Sequence, residues 1–305
     1  MSKNTPALPL DQTIAENVLS RVARDNAIDA TDQKLMRLGS NAVFILPRAS
    51  LVIRIHRPTQ DMAAVVREVE IADYLVARGV PCVAPAHQFE SPVQECDGYV
   101  ISLWEYVAED PSRFDAYGQF GELVRRFHEA ITRYDVALPG SDINRKIQKR
   151  IETLVAGDLV SAEEQDFLET QQREIASQVT QFHSTLGQGV IHGDMHSGNL
   201  VNNAEAIRLC DFENVAIGYR EWDLIPTLVN ARRFSLRDGT FEDFMAGYRG
   251  SDTGPIDLEP FCQAKELSMV TWLLQNRYIS DDHAREADHR LATLIQGTKT
   301  KWHAF

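Results

Sequence analysis

In LDQTIAENVLSRVARD (10–25) the apolar residues Leu10, Ile14, Val18, Leu19 and Val22 recur at helical spacing, which predicts an N-terminal helix. The period then shortens to two. KLMRL (34–38), AVFIL (42–46) and LVIRIH (51–56) read as strands, and the short links GSN and PRAS suit an antiparallel meander. DMAAVVREVEIADYLVAR (61–78) predicts a helix that starts at Asp61 as N-cap and stops before Gly79. GVPCVAPAHQF (79–89) reads as a turn entering a strand, and GYVISLWEYV (98–107) as an apolar, aromatic strand.

Beyond residue 107 the pattern changes. FGELVRRFHEAI (120–131) is helical, residues 142–185 form a long polar stretch with helical character, and AIRLCDF (206–212) is the return strand of a short hairpin. From 221 onward the helical period returns. A sheet-rich segment, 1–107, with its hinge at about 104–108, is thus followed by a helix-rich one, 108–305, and a ligand cleft between two lobes is expected.

Composition narrows the partners. The chain of 305 residues is 44% apolar and 25% charged, with a net charge of −13, which argues against a nucleic-acid backbone or an anionic membrane as partner. Its four cysteines are far apart and form no C-x-x-C pair, so reduced core thiols are expected. MSKNTPALPLDQ has no apolar core of a secretory signal, and no run approaches the roughly 18 apolar residues of a membrane span, so a cytoplasmic protein is expected.

The chemistry concentrates in VIHGDMHSGNLV (190–201). Asp194 and Asn199 are five apart, and Asp211 follows twelve residues after Asn199, at the end of the return strand. Phosphoryl transfer uses such a set: one carboxylate orients the attacking hydroxyl, while an amide oxygen and a second carboxylate hold magnesium on the phosphates. Two other chemistries compete. His192 and His196 have the H-x-x-x-H interval of a zinc helix, but Glu is missing and Gly193 and Gly198 oppose a helix. Ser197 lacks the G-x-S-x-G elbow of a nucleophile, and no Walker A sequence occurs.

HGDMHSGN followed by DFE is similar to the H-G-D-x-H-x-x-N signature of the aminoglycoside phosphotransferase and choline kinase family. The resemblance implies an α+β, bilobal protein-kinase-like fold, with an antiparallel-sheet N-lobe and a mostly helical C-lobe. It implies an ATP- and Mg2+-dependent kinase of small-molecule hydroxyls, with Asp194 as catalytic base, Asn199 and Asp211 as magnesium ligands, and His192 and His196 shaping the loop. It also places nucleotide contacts at Gly39, Ser40 and Asn41, between two strands. By the same resemblance the expected hinge contacts with adenine are the Glu105 carbonyl and the Val107 N–H, with Trp104 either a gatekeeper or a core aromatic.

The family's strand lysine is replaced by Arg54. The chain has only seven lysines, and none lies between Lys34 and Lys146. Arginine can grip phosphate bidentately, and its ion-pair partner is expected to be Glu68. Glu70 lies about 200° around the helix, so only one of the two can serve. The alternatives are a solvent-facing Arg54 and, for the whole chain, a nucleotide-binding pseudokinase or regulatory scaffold. His128 reads as a packed histidine, and Asp223 as a helix cap that braces the catalytic loop. Only eleven positions separate Asp211 from Trp222 and no A-P-E follows, which leaves no peptide-docking segment and favours a small acceptor. The acidic runs FEDF (241–244), DLE (257–259) and DDH (281–283) could meet an amine on that acceptor.

Overall fold

The structure is a computed structural model that describes residues 10–39, 41–110, 114–203, 206–250 and 254–304. Ser40 lies outside the described residues. The chain divides into two compact units, Met1–Phe114 with Gly198–Asn214, and Asp115–Ser197 with Val215–Phe305.

The first unit begins with α1 (Gln12–Asp25), whose Asp11 side chain accepts the Ile14 N–H and caps the free end of the helix. Then come β1 (Lys34–Leu38), β2 (Ala42–Leu46), β3 (Leu51–Ile55), α2 (Met62–Val76), β4 (Val93–Cys96) and β5 (Tyr99–Glu105). The strands form one antiparallel sheet in the order β1-β2-β3-β5-β4. Period-two alternation sorts its two faces. Phe44, Leu46, Leu51, Ile53, Ile55, Ile101 and Leu103 pack with Ala15, Val18, Leu19 and Val22 of α1 in one core. Arg54 therefore emerges on the other face, in register with Ser102 on one side and Val43 on the other. On that face α2 buries Glu68 among Val65, Ile71, Ala72 and Leu75.

Residues 79–89 depart from the expected strand. They make only two isolated bridges, Cys82 with Leu209 and Pro85 with Trp104. Pro81 and Pro85 have no N–H to donate, which prevents a continuous ladder. The edge strand is β4 instead, in a segment whose polar sequence, VQEC, carries no apolar alternation.

The second unit starts with α3 (Tyr117–Ile131). The polar stretch 142–185 is two helices, α4 (Ile143–Ala156) and α5 (Ala162–Thr180), separated at Gly157 and restarted by a Ser161–Glu164 capping box. β6 (Gln188–Ile191) follows, and the chain then contributes the hairpin β7 (Leu200–Asn202) and β8 (Ile207–Leu209) to the first unit. Back in the second unit, β9 (Ala216–Tyr219) pairs with β6, and α6 (Ile225–Arg233), α7 (Thr240–Arg249), α8 (Glu259–Gln275) and α9 (Asp281–Ile295) complete it. No helix of the described residues is long and apolar enough to cross a membrane.

α3 and α7 approach each other at backbone distance. A Cβ on Gly121 would stand 1.9 Å from the Phe244 carbonyl oxygen, and one on Gly247 equally close to that of Gly118. Neither obstacle is a side chain that can swing away. Gly121→Ala is expected to lower the unfolding free energy by about 2–3 kcal/mol, read by urea denaturation, because the helices must separate. Gly140→Ala, where a Cβ meets nothing within 4 Å, is the control and should leave the midpoint in place.

Candidate active site

The first unit gathers three carboxylates around one guanidinium. Arg54 Nη1 lies 3.2 Å from Glu68 Oε1 and 3.1 Å from Asp211 Oδ1, and Nη2 lies 2.8 Å from Glu213 Oε2. The Arg54 side chain is only 13% exposed, so it is not a solvent-facing strand arginine. Each contact has a local cause. β3 aims Arg54 away from α1, α2 presents Glu68, and Asp211 takes a left-handed backbone (φ 65°) as the chain leaves β8. Glu213 sits in the 3₁₀ turn Phe212–Asn214. The sequence does not single it out, because nothing in DFE says where its last side chain turns.

Burial pushes the Glu68 carboxyl up to about 7, from 4.5; Arg54 pulls it down, while Asp211 and Glu213 push it further up. A folded-state pKa above the unfolded value means stability that is fully present below pH 4.5 and is lost as the pH rises through about 7. Unfolding free energies measured from pH 4.5 to 8 should contain this loss, worth up to about 3 kcal/mol. Glu68→Gln should flatten that part of the profile. An unchanged profile in the variant would show that Glu68 does not titrate there.

Asn199 is buried, and its carbonyl accepts the Cys210 N–H at 3.0 Å. With Leu200 opposite Leu209, the β7–β8 register sets Asn199 beside the residue that precedes Asp211. This hairpin unites the two candidate magnesium ligands. Among the described residues no three His, Cys, Asp or Glu side chains gather to hold a metal, which leaves the zinc alternative without a donor set. One amide oxygen and one or two carboxylates, all hard donors, fit magnesium that keeps phosphate and water as its other ligands.

The nucleotide-loop residues are placed by the backbone. Gly39 N–H donates to the Asn41 carbonyl at 3.0 Å, and Asn41 Oδ1 accepts the Arg57 N–H at 3.0 Å, fixing the turn to the end of β3. At the hinge, Glu105 N–H donates to Ala84 O and Tyr106 N–H to Ser50 O. Val107 N–H has no backbone partner among the described residues. Trp104 is buried, and its Nε1 donates to Ser102 Oγ, which also meets His56 Nε2 at 2.9 Å. Burial, followed by the charges of Arg54 and Arg57, lowers His56 to about 3, so this buried ring is neutral.

The second unit holds Asp194. β6 delivers His192 and Gly193 (φ 82°) to a completely buried Asp223, whose carboxylate accepts the His192 N–H at 2.7 Å and the Gly193 N–H at 2.9 Å. The same carboxylate meets His128 Nε2 at 3.0 Å, and His128 Nδ1 meets the Tyr248 hydroxyl at 3.0 Å. Trp222 Nε1 donates to the Gly193 carbonyl. Asp223 thus braces the loop through its own main-chain donors, but it lies inside the 3₁₀ turn Arg220–Leu224 and caps no helix by its side chain.

Beyond this braced segment Asp194 is half-exposed, with Oδ1 3.2 Å from Lys265 Nζ and Oδ2 3.4 Å from His196 Nε2. Burial raises its pKa, but the His196 hydrogen bond and the charges of Lys265 and His196 outweigh that and hold it well below the usual carboxylate range. It is ionised throughout the neutral range. Lys265 comes from α8, 71 residues further along, and no spacing in the sequence links the two.

The fold is protein-kinase-like, and the family match makes the chain a phosphotransferase acting on hydroxyl groups. The model of the phosphotransferase enzyme family matches residues 38–259, and the chain belongs to that family. No curated protein sequence matches the chain. Among solved structures, it is similar to the amicoumacin kinase hAmiN in complex with AMP-PNP, Ca2+ and Ami, with TM-score 0.76, 16% identity and 96% of each chain covered. It is also similar to a microcompartment-associated aminopropanol kinase, with TM-score 0.68, 21% identity, and 92% of this chain and 94% of that one covered. A third is the GDP complex of aminoglycoside 2'-phosphotransferase-IIIa, with TM-score 0.61, 16% identity, and 93% and 98% covered.

Proposed function

We propose that the protein is a cytoplasmic, ATP- and Mg2+-dependent phosphotransferase that moves the γ-phosphoryl group to a hydroxyl of a small molecule. The observation that carries this reading is the convergence of Glu68 and Asp211 on Arg54, beside the Asn199–Asp211 hairpin. In the proposed assignment Arg54 grips phosphate oxygens and Glu68 orients it. Asn199 and Asp211 hold magnesium, which when bound offsets the charge that develops on the transferring phosphate. Gly39, Ser40 and Asn41 cover the phosphates, while the Glu105 carbonyl and Val107 N–H pair with adenine.

Asp194 holds the acceptor hydroxyl. The hydroxyl oxygen forms its bond to the γ-phosphorus as the bond to the β–γ bridging oxygen breaks, with that electron pair leaving on ADP. The hydroxyl proton passes to Asp194 and then to water. A carboxylate held ionised by Lys265 and His196 is a weak base, suited to orienting the nucleophile and taking the proton late, as a loose transition state requires. The complexes of similar proteins with AMP-PNP and with GDP are compatible with a nucleoside triphosphate donor.

Thermal unfolding of the full chain tests the nucleotide half. Magnesium with ATP should raise the midpoint with increasing ligand, and magnesium alone should raise it far less. No shift with the pair would exclude both this function and the pseudokinase alternative. A shift without any phosphorylated product would favour the pseudokinase.

A further inference from the structure

In the assignments above Lys265 serves only to keep Asp194 ionised, and its ammonium group lies directly against the proposed base. Its side chain is 18% exposed, with Nζ 3.2 Å from Asp194 Oδ1 and 5.8 Å from the centroid of the Trp222 ring. With His196 on the other oxygen, the charge of Asp194 is already matched and has little left to draw in an ammonium group.

Other carboxylates of the second unit are paired as well. On α8, Glu259 pairs with Arg232 and Glu266 with Arg233. Glu221 is fully buried, accepting from Ser184 Oγ and from the Thr185 and Leu186 N–H groups, and Asp223 is taken by the loop it braces. In each acidic run read from sequence as a candidate amine contact, one carboxylate is paired with an arginine. Asp243 pairs with Arg237, Glu259 with Arg232 and Asp282 with Arg285. An amine-bearing acceptor that reached Asp194 would displace Lys265 and then face it as a like charge.

Resting on the phosphotransferase reading, we propose that the acceptor is a hydroxy acid: a small molecule whose hydroxyl goes to Asp194 and whose carboxylate or phosphate goes to Lys265. Such an acceptor exchanges the Asp194–Lys265 pair for a hydrogen bond from its hydroxyl to Asp194 and an ion pair between its anion and Lys265. Lys265 is then a specificity determinant, and the chain differs in acceptor class from the aminopropanol kinase it resembles.

Steady-state ADP release from Mg–ATP by the full chain is the test, with acceptors that share a three-carbon skeleton: glycerate, glycerol 3-phosphate and 3-amino-1-propanol. At least one of the two anions should exceed the amine in kcat/KM by about tenfold or more, and the better anion identifies carboxylate or phosphate. Lys265→Gln should raise KM for that anion roughly 10- to 100-fold, the range for losing a charged hydrogen bond, and act less on kcat. Lys265→Arg, with the charge kept, should retain the preference.

Preference for the amine, or no turnover of either anion while Mg–ATP still shifts the thermal midpoint, overturns this inference alone. So does a fall in kcat that is equal for amine and anion in Lys265→Gln, which would put Lys265 on the phosphoryl group. Absence of the Mg–ATP shift overturns the phosphotransferase reading and the inference with it.

Discussion

Asp194→Asn is expected to lower kcat for acceptor phosphorylation by about 10³-fold, within the 10²- to 10⁴-fold range of a positioned acid or base. The substitution keeps the shape of the side chain and removes its negative charge. Lys265 and His196 then face a neutral amide, and the acceptor hydroxyl loses the oxygen that orients it and takes its proton. The bracing contacts to Asp223 use the main chain of His192 and Gly193, so the loop should keep its course. Mg–ATP should stabilise the variant as it does the parent. The measurement is kcat from initial rates of phosphorylated product. A variant within about threefold of the parent would remove Asp194 from the chemistry.

Arg54→Met should have the second-largest effect. It removes the cation that Glu68, Asp211 and Glu213 share and strands the buried Glu68. Breaking a buried pair from one side costs about 3–5 kcal/mol where the remaining charge cannot escape. Glu68 can escape by taking a proton, since its pKa already stands near 7 with Arg54 present. The loss should therefore be greatest at pH 8.5 and fall to about 2 kcal/mol or less at pH 6. The Glu213 arm adds little, because solvent screens a side chain that is 35% exposed. The Mg–ATP shift should disappear. Arg54→Lys should recover part of both properties, because an ammonium supplies the charge without the planar fork that reaches three carboxylates. Denaturant titrations at the two pH values, with and without Mg–ATP, measure each effect. Equal losses at pH 6 and pH 8.5 would contradict the stranded-carboxylate explanation.

The parts of the fold visible in the sequence are those with an unbroken period. α1, α2 and the strands β1 to β3 follow directly from apolar spacing and a cap or turn residue at each end. Helices α4 and α5 read as one polar stretch because their buried faces are thin, although Ser161 and Glu164 mark the restart. β4 is not legible, because none of its four residues is buried, which leaves no apolar face to alternate. The two prolines of 79–89 were the signal against a strand there. At the site, short-range spacing names Asp194, Asn199 and Asp211, since a loop and a tight hairpin carry them. The meeting of Arg54, Glu68 and Asp211 needs the alternation of β3 and the face of α2 together, which a sequence constrains only loosely. Lys265 and Glu213 depend on where a distant helix and a 3₁₀ turn lie, and no local pattern encodes that.

Labelled transfer asks the most of the proposed function. Incubation with magnesium and ATP carrying a labelled γ-phosphate, followed by mass analysis of the acceptor and of the phosphate released, reports where the γ-phosphoryl group goes. The label is expected on a hydroxyl oxygen of the acceptor, one equivalent per ADP formed, dependent on magnesium and reduced about 10³-fold in Asp194→Asn. Label found only in inorganic phosphate, or transfer to the acceptor undiminished in Asp194→Asn, would contradict it.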